Sequence, residues 1–182
     1  MKGKKQKAFT VIELLITIAV MVIIVSFVVP NFSRVIAQGK LSGTRNEALS
    51  LMHFARLEAM RTRSNVIVCA SENGQTCSGD DWGRIIVFVD EDNNGQVSSG
   101  ESIKRVASLS HPTITLANHM QGIPSIYFLP NGNAEFANGS ISNTNILSLC
   151  SNKVDNASFT LQVGTTMGMT RVVKNQGDSS CQ

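Results

Sequence analysis

Apolar residues follow three different patterns along the 182-residue chain, and the first is a continuous run near the start. Residues 9–29 form an apolar segment of 21 residues in which Glu13 is the single charged side chain. At a rise of about 1.5 Å per residue, a helix of this length matches the roughly 30 Å hydrocarbon core of a bilayer. A cleaved secretory signal has a shorter apolar region of about 7–15 residues, and soluble core helices rarely need so long a run. The segment is therefore predicted to span a membrane.

After this run, apolar residues recur at helical spacing from residue 32 to about Arg61. This pattern predicts an amphipathic continuation of the helix, with one face packed under a sheet. A kink is expected at Pro30, because proline removes a backbone donor and clashes with the preceding turn. The apolar positions expected to face the sheet are Leu41, Ala48, Met52, Ala55 and Ala59.

Beyond Ser64 the pattern changes to short β-branched runs separated by turn residues. Asn-Gly pairs at 94–95, 131–132 and 138–139 indicate tight turns. A long helix followed by hairpin-linked strands predicts an α+β fold with an antiparallel sheet. The expected strands are 66–69, 85–89, 102–109, 113–116, 125–129, 146–150, 159–163 and 170–174. The expected segments are a leader at 1–8, a transmembrane helix at 9–29, its amphipathic continuation at 30–63 and a β-rich globular domain at 64–182.

The charges near the start of the chain indicate its orientation. Residues 1–8 contain four lysines and no acid, so the positive-inside rule places this leader in the cytoplasm and exports the rest. An ionised carboxylate inside lipid costs about 2.5–3.5 kcal/mol, so Glu13 is expected to be functional and to have a cationic partner. The alternative is a carboxylate that stays protonated or reaches toward the lipid head groups.

The sequence KGKKQKA followed by FTVIELLITIAV resembles the class III signal of type IV pilins and type II secretion pseudopilins. The resemblance implies that prepilin peptidase cuts between Ala8 and Phe9, that Phe9 is then N-methylated, and that Glu13 directs assembly. The family usually has glycine before the cut, where this chain has Ala8. Cutting creates an amine at Phe9 that lies close to the neighbouring subunit's glutamate. Such a buried ion pair fixes register more than it adds stability.

The globular part is similar to the GspH/FimT (FimU-like) group of minor pilins and pseudopilins. The similar stretches are WGRIIVFVD from Trp82, NNG from Asn93 and FLPNG from Phe128, followed by Cys150. The resemblance implies the pilin fold and a low-copy subunit of a type IV pilus tip or, alternatively, pseudopilin H of type II secretion. The implied partners are other minor pilins and the major pilin, contacted through the N-terminal helix, and an inner-membrane assembly platform. The implied location is a single pass through the inner membrane with a periplasmic domain, followed by extraction into the fibre.

Four cysteines in an exported chain are expected to form disulfides, because that compartment is oxidising. Three pairings are open. Cys69 and Cys77 flank a turn-rich loop that closes easily, which favours that pair, and Cys150 would then bond Cys181. Zinc is the weaker alternative, because there is no CxxC pair and no histidine nearby.

One loop matches the spacing of a calcium-binding loop, D-x-[DN]-x-[DN]-G-x5-E. The candidate ligands are the side chains of Asp90, Asp92, Asn94 and Glu101 and the carbonyl of Gln96. Strand-like residues flank the loop where a calcium-binding EF-hand has helices. The alternative is therefore an acidic hairpin turn, and no other cofactor is expected.

The sequence does not indicate an enzyme: the three histidines are scattered, and no nucleophile, metalloprotease or phosphate-binding motif is present. The formal net charge is +3, but the four lysines of the leader contribute more positive charge than this total. The charge balance therefore does not indicate nucleic-acid binding. DNA-uptake pilins have a Gly-Arg-x-Arg tail, and its nearest match here keeps only Arg171, with Lys174 after it. Two cations are expected to bind DNA weakly.

Overall fold

The computed structural model describes residues 9–79, 81–119, 125–137, 144–154 and 158–175, without the side chains at 27–31, 144 and 175. Within these residues the chain forms one long helix followed by strands and one short 3-10 helix. The helix is α1 (Val11–Thr62). The strands are β1 (Asn65–Ala70), β2 (Arg84–Asp90), β3 (Ile103–Ser108), β4 (Ile114–Asn118), β5 (Ser125–Phe128), β6 (Ala134–Phe136), β7 (Thr144–Ser151), β8 (Ser158–Val163) and β9 (Thr170–Asn175). The 3-10 helix, Thr166–Gly168, lies between β8 and β9.

The start of α1 is fixed by a threonine cap. Thr10 precedes the first helical residue, and its hydroxyl accepts a hydrogen bond from the backbone N–H of Glu13 at 3.4 Å. Threonine followed three residues later by glutamate is the spacing of a capping box, in which both residues stabilise the free N–H groups of the first turn. Glu13 therefore also lies at the capping position in the first turn, where a carboxylate stabilises the helix start.

The chain divides after Ile36 into two compact units. In the first unit, the described side chains from Phe9 to Ser26 are all exposed. In the part of the chain that the structure describes, no helical segment combines the length and the mean hydropathy needed to cross a membrane. The transmembrane helix expected at residues 9–29 stays a prediction.

In the second unit, the later part of α1 packs against two antiparallel sheets. One sheet has five strands in the order β3-β2-β1-β5-β6, and the other has four in the order β4-β7-β8-β9. All five apolar positions predicted for the helix face are buried. They pack in one core with the inward residues of both sheets, such as Val68, Val87, Leu149 and Leu161.

A second, smaller apolar cluster lies on the other face of the five-stranded sheet. Its buried members are Ile67, Cys69, Ile86 and Phe88, which alternate along β1 and β2 with the residues of the main core. Two loops cover this cluster, because Cys77 and Val97 pack against it. This sheet is therefore buried on both faces at its centre.

The α+β class with a helix on antiparallel strands is confirmed, and each predicted strand corresponds to an observed one within about two residues. Two features differ from the expectation. The strands form two sheets rather than one, and β6 was not expected because Ala-Glu-Phe contains no β-branched residue. Helix α1 runs from Val11 to Thr62 and so includes Pro30. The kink expected at Pro30 stays a prediction. The turn expected at 138–139 lies outside the described residues.

Candidate functional site

The most unusual surface of the molecule is the apolar exterior of the first unit. Thirteen large hydrophobic side chains between Phe9 and Val25 are each at least 50% exposed, and no described residue covers them. A helix that is apolar on all sides is normally buried, and large exposed apolar patches mark interaction or membrane surfaces. This helix therefore requires lipid or other helices around it.

Glu13 lies within that apolar surface. Its side chain is exposed and forms no ion pair with any described residue. The first turn of a helix favours a negative charge, because the free N–H groups there are partly positive. The carboxylate is thus exposed in the first turn of the helix, among apolar side chains. Ala8 lies outside the described residues, so cleavage before Phe9 and its N-methylation stay predictions.

The acidic loop that follows β2 is closed by its own hydrogen bonds. Asp90 is only 1% exposed, and its two carboxylate oxygens accept from the N–H groups of Asn94 at 3.2 Å and Gly95 at 3.1 Å. The carboxylate of Glu101 accepts from the N–H groups of Glu91 at 2.7 Å and Ser98 at 2.8 Å. Burial raises the pKa of Asp90, although its two backbone hydrogen bonds act in the opposite direction.

This loop has a structural use that requires no ion. Val97 packs against the smaller apolar cluster. Gly95 has φ +77°, and a Cβ at this position would lie 2.6 Å from the Tyr127 hydroxyl oxygen. One ligand oxygen each from Asp90, Asp92 and Glu101 lie within 4.8 Å of one another. Because these carboxylates already accept hydrogen bonds within the loop, the geometry supports the acidic-turn alternative. Calcium binding stays a prediction.

Two further candidate ligands of that loop, Asp92 and Asn94, form hydrogen bonds within the loop itself. The side-chain oxygen of Asn94 accepts from the N–H of Gln96 at 2.7 Å, and its amide donates to Asp92 at 2.7 Å. Asp92 also accepts from the Ser98 hydroxyl at 2.9 Å. These bonds hold the loop in a folded turn.

The predicted disulfide between Cys69 and Cys77 is confirmed, with the two Cα atoms 5.6 Å apart. The bond excludes zinc at these two residues, because a metal ligand must be a thiolate. Cys150 is also disulfide-bonded, and its expected partner, Cys181, lies outside the described residues.

The two candidate DNA contacts do not lie together. Arg171 is paired in register with Gln162 and donates a hydrogen bond to its side-chain oxygen at 2.8 Å. Lys174 is three residues further along the same strand and therefore faces the opposite side of the sheet. There it is in register with Phe159, the ring over which Arg45 stacks at 4.7 Å. The strand thus separates the two cations, and DNA contact stays a prediction.

A hydrogen-bonded serine and histidine do occur, but the serine is fully buried. His119 Nε2 lies 2.7 Å from the Ser148 hydroxyl, which is 2.7 Å from the Thr160 hydroxyl. Ser148 is 0% exposed. The pair therefore connects neighbouring strands and offers no accessible nucleophile.

The sequence analysis did not identify Thr10 as the helix cap, although a threonine three residues before a glutamate is the spacing of a capping box. It also missed the aromatic stacking of two arginines. Arg45 lies over Phe159, and the guanidinium of Arg105 lies 4.3 Å from the centre of the Phe54 ring. These contacts join residues far apart in sequence, so no local pattern reports them.

Two solved structures resemble this fold. Both are crystal structures of FimU, a type IV minor pilin of Pseudomonas aeruginosa strain PAO1, in different space groups. The first covers 79% of this chain and 96% of its own, with a TM-score of 0.56 and 17% identity. The second covers 78% of this chain and 99% of its own, with a TM-score of 0.53 and 17% identity. The shared architecture, a helix packed on two antiparallel sheets, is the pilin fold.

Sequence comparison gives the family. The model of the type II transport protein GspH matches residues 44–167, and that of the prokaryotic N-terminal methylation motif matches residues 3–29. Comparison with curated proteins gives no significant match. Because the first match spans more than half of the chain, this protein belongs to the GspH family of minor pilins and pseudopilins. Members of this family are structural subunits of a pilus or pseudopilus rather than enzymes, and they generally need no cofactor.

Proposed function

We propose that this chain is a minor type IV pilin that helps to prime pilus assembly at or near the tip. The observation that carries the proposal is the exposed apolar helix with a single carboxylate in its first turn. The fold similarity to a minor pilin supports the same function. The methylation motif supports a membrane-anchored subunit.

The proposed mechanism uses the two environments that an apolar helix accepts. Before assembly, the helix lies in the inner membrane with the leader in the cytoplasm and the globular unit in the periplasm. During assembly, the helix exchanges lipid for the helices of neighbouring subunits, which cover the same side chains. Glu13 then meets the terminal amine of a neighbour created by cleavage at Phe9. Because a buried charge must be paired, this contact selects one register.

Pseudopilin H of a type II secretion system is the second candidate, and the match to the GspH model favours it. Both functions need the same helix and the same cleavage. Deleting the gene and scoring surface pili and secreted enzymes separates them. Loss of pili with normal secretion supports the pilin proposal, and the reverse result supports the pseudopilin.

Replacing Glu13 tests the assembly mechanism. Glu13→Gln keeps the size of the side chain and removes its charge, so the chain is expected to insert in the membrane normally. Incorporation into fibres is expected to fall more than tenfold, because breaking a buried ion pair costs about 3–5 kcal/mol. The measurement is the ratio of the subunit in sheared fibres to that in membranes.

Two controls separate pairing from helix capping. Glu47→Gln removes an exposed carboxylate further along the same helix and should leave incorporation unchanged. Thr10→Val removes the capping hydroxyl without changing charge, and incorporation should stay close to that of the wild type. Normal incorporation of Glu13→Gln would refute the pairing mechanism.

A further inference from the structure

The loop between β1 and β2 contains a pair of residues that is chemically reactive in an unconstrained chain. Asn73 is followed by Gly74, inside the loop that the Cys69–Cys77 disulfide closes. The backbone nitrogen that follows an asparagine can attack the asparagine side chain, and glycine favours this attack because it has no side chain to obstruct the approach. Asn73 is exposed, so water reaches it. The loop therefore holds the reactants for loss of ammonia from Asn73.

The reaction takes place within the chain and needs only water. The nitrogen of Gly74 gives up its proton and forms a bond to Cγ of Asn73. The bond between Cγ and Nδ2 breaks, and the amide nitrogen leaves with that proton as ammonia. Water then opens the five-membered imide at either carbonyl, which gives aspartate or isoaspartate at position 73. The first step requires a backbone N–H that is free to lose its proton and a side chain that is free to turn toward it.

In the folded loop both reacting groups are held by hydrogen bonds. The N–H of Gly74 donates to the hydroxyl oxygen of Ser71 at 2.9 Å, and Ser71 is buried. The side-chain oxygen of Asn73 accepts from the N–H groups of Gln75 at 2.8 Å and Thr76 at 2.9 Å. The Asn73 amide donates to the Thr76 hydroxyl at 3.1 Å. The nitrogen therefore keeps its proton and the side chain keeps its orientation, so the folded loop suppresses the reaction.

The disulfide is the strongest attachment of this loop to the sheet. Cys69 is fully buried in β1, and Cys77 packs against the smaller apolar cluster. The side chains at 72, 73, 75 and 76 are exposed, so no apolar burial holds them. The exposed side chain of Arg84 adds one hydrogen bond, to the carbonyl oxygen of Glu72 at 2.6 Å. Without the disulfide, the loop gains conformations in which its hydrogen bonds are exchanged for bonds to water.

Two other Asn-Gly pairs that the structure describes are held in a different way. The N–H of Gly95 donates to the Asp90 carboxylate at 3.1 Å, and that of Gly132 donates to the carbonyl oxygen of Leu129 at 2.9 Å. Both of these glycines are buried, whereas Gly74 is half-buried. Neither pair lies in the loop that the disulfide closes. They therefore serve as internal controls, because they react faster only when the rest of the domain opens.

We propose that Asn73 is a latent deamidation site, which the closed loop protects and which loss of the Cys69–Cys77 bond opens. The product is permanent, and it adds a negative charge to the loop. Isoaspartate also lengthens the backbone by one methylene group, so the N–H of Gly74 no longer lies against Ser71. The loop then no longer fits over the smaller apolar cluster. A subunit that folds without this disulfide is thus marked irreversibly, whatever assembly it belongs to.

Peptide mapping of the full-length chain in detergent tests this inference. The wild type and a variant with Cys69→Ala and Cys77→Ser are incubated at mildly alkaline pH, which favours the deprotonated nitrogen. Mass spectrometry follows the deamidated fraction at each Asn-Gly pair with time. The rate at position 73 is expected to rise at least tenfold in the variant, while the rates at Asn94 and Asn131 stay within about twofold of the wild type. A synthetic peptide of residues 70–78 gives the unprotected rate.

A second variant tests the hydrogen bonds while the disulfide is kept. Ser71→Ala removes the acceptor of the Gly74 N–H, so the rate at Asn73 is expected to rise several-fold. Ser78→Ala is the matched control, because its hydroxyl accepts from the N–H of Glu72 at 3.1 Å in the same loop and has no contact with the reacting pair. Its rate should equal that of the wild type. The melting temperature of each variant is measured to confirm that it folds.

Each outcome supports or overturns the inference. A wild-type rate equal to that of the peptide overturns it, because the folded loop then gives no protection. An unchanged rate at position 73 in the folded disulfide-free variant also overturns it. If that variant unfolds, all three pairs react faster together, and the Ser71→Ala variant decides instead. A rate above that of Ser78→Ala supports the protected site, and equal rates overturn it.

Discussion

Gly168 has a backbone conformation and an environment that together exclude any side chain. Its φ is +52°, and a Cβ would lie 2.6 Å from a backbone oxygen, that of Gly132. A backbone atom cannot move aside as a flexible side chain does. The contact between the 3-10 helix and the β5–β6 loop therefore depends on this one glycine.

Gly168→Ala is expected to destabilise the protein by about 1–3 kcal/mol, because the new methyl group adds a clash to the backbone strain. Denaturant unfolding of the full chain in detergent measures the change in free energy of unfolding. Gly100→Ala is the matched control, since its φ is +102° but no atom lies within 4 Å of the built Cβ. Equal losses in the two variants would show that the clash contributes nothing.

The Glu58–Arg61 pair determines part of the pH dependence of stability. The hydrogen bond from Arg61 lowers the pKa of Glu58, against the opposing effect of burial. A carboxylate with a lowered folded-state pKa stabilises the fold above its unfolded pKa of about 4.3, and this contribution is lost as pH falls through the folded value.

Glu58→Gln should therefore reduce stability at pH 7 and have a smaller effect below about pH 4. Asp90 acts in the opposite direction: its pKa is raised, so its favourable contribution is present at low pH and is lost as pH rises through the folded pKa. Melting temperatures of the wild type and the variant between pH 3 and 7 provide the measurement. A difference that stays constant across this range would contradict the pairing.

At the scale of elements, the sequence predicts most of what local patterns control. The buried positions of α1 follow helical spacing, and β1 and β2 follow β-branched runs. The division into two sheets was not predictable in this way, because β1 pairs with β5 across more than fifty residues. A hairpin signal identifies neighbours in sequence, whereas that pairing depends on which apolar faces the helix covers.

The Cys69–Cys77 disulfide fixes one of the two loops that cover the smaller apolar cluster. Replacing Cys69 by alanine together with Cys77 by serine should destabilise the fold by about 2–3 kcal/mol, since a short loop then gains freedom in the unfolded chain. Hydrogen exchange of residues 71–78 should increase at the same time. A loss below about 0.5 kcal/mol would show that packing alone holds the loop.

At the scale of the whole molecule, the candidate site was predictable where one short motif defines it. Phe9 and Glu13 were identified from the sequence, because a basic leader changes directly to an apolar run at Phe9 and Glu13 is the single charge within that run. The stacking of Arg45 over Phe159 was not predictable, because the two residues lie more than a hundred positions apart and no local pattern links them.

Calcium binding is tested on the whole protein. The hydrogen bonds within the acidic loop predict no increase in melting temperature with Ca²⁺ up to about 1 mM, the weak extracellular range of calcium affinities. Mg²⁺ at the same concentration is the control for ionic strength. An increase specific to Ca²⁺, and absent in Glu101→Gln, would show that the loop rearranges to bind the ion.

The loop between β2 and β3 has an uneven tolerance to change as a consequence of its position over the five-stranded sheet. The Glu91 side chain is exposed to solvent, while Gly95 fits under Tyr127 and Val97 covers Phe88 and its neighbours. Asp92 accepts a hydrogen bond from Ser98, and Asn93 accepts one from Asn65. Natural variation at Glu91 thus carries little penalty, whereas shortening the loop would leave a strip of aliphatic and aromatic side chains open to water. A subunit altered in that way would be prone to self-association before it reached its place in a fibre.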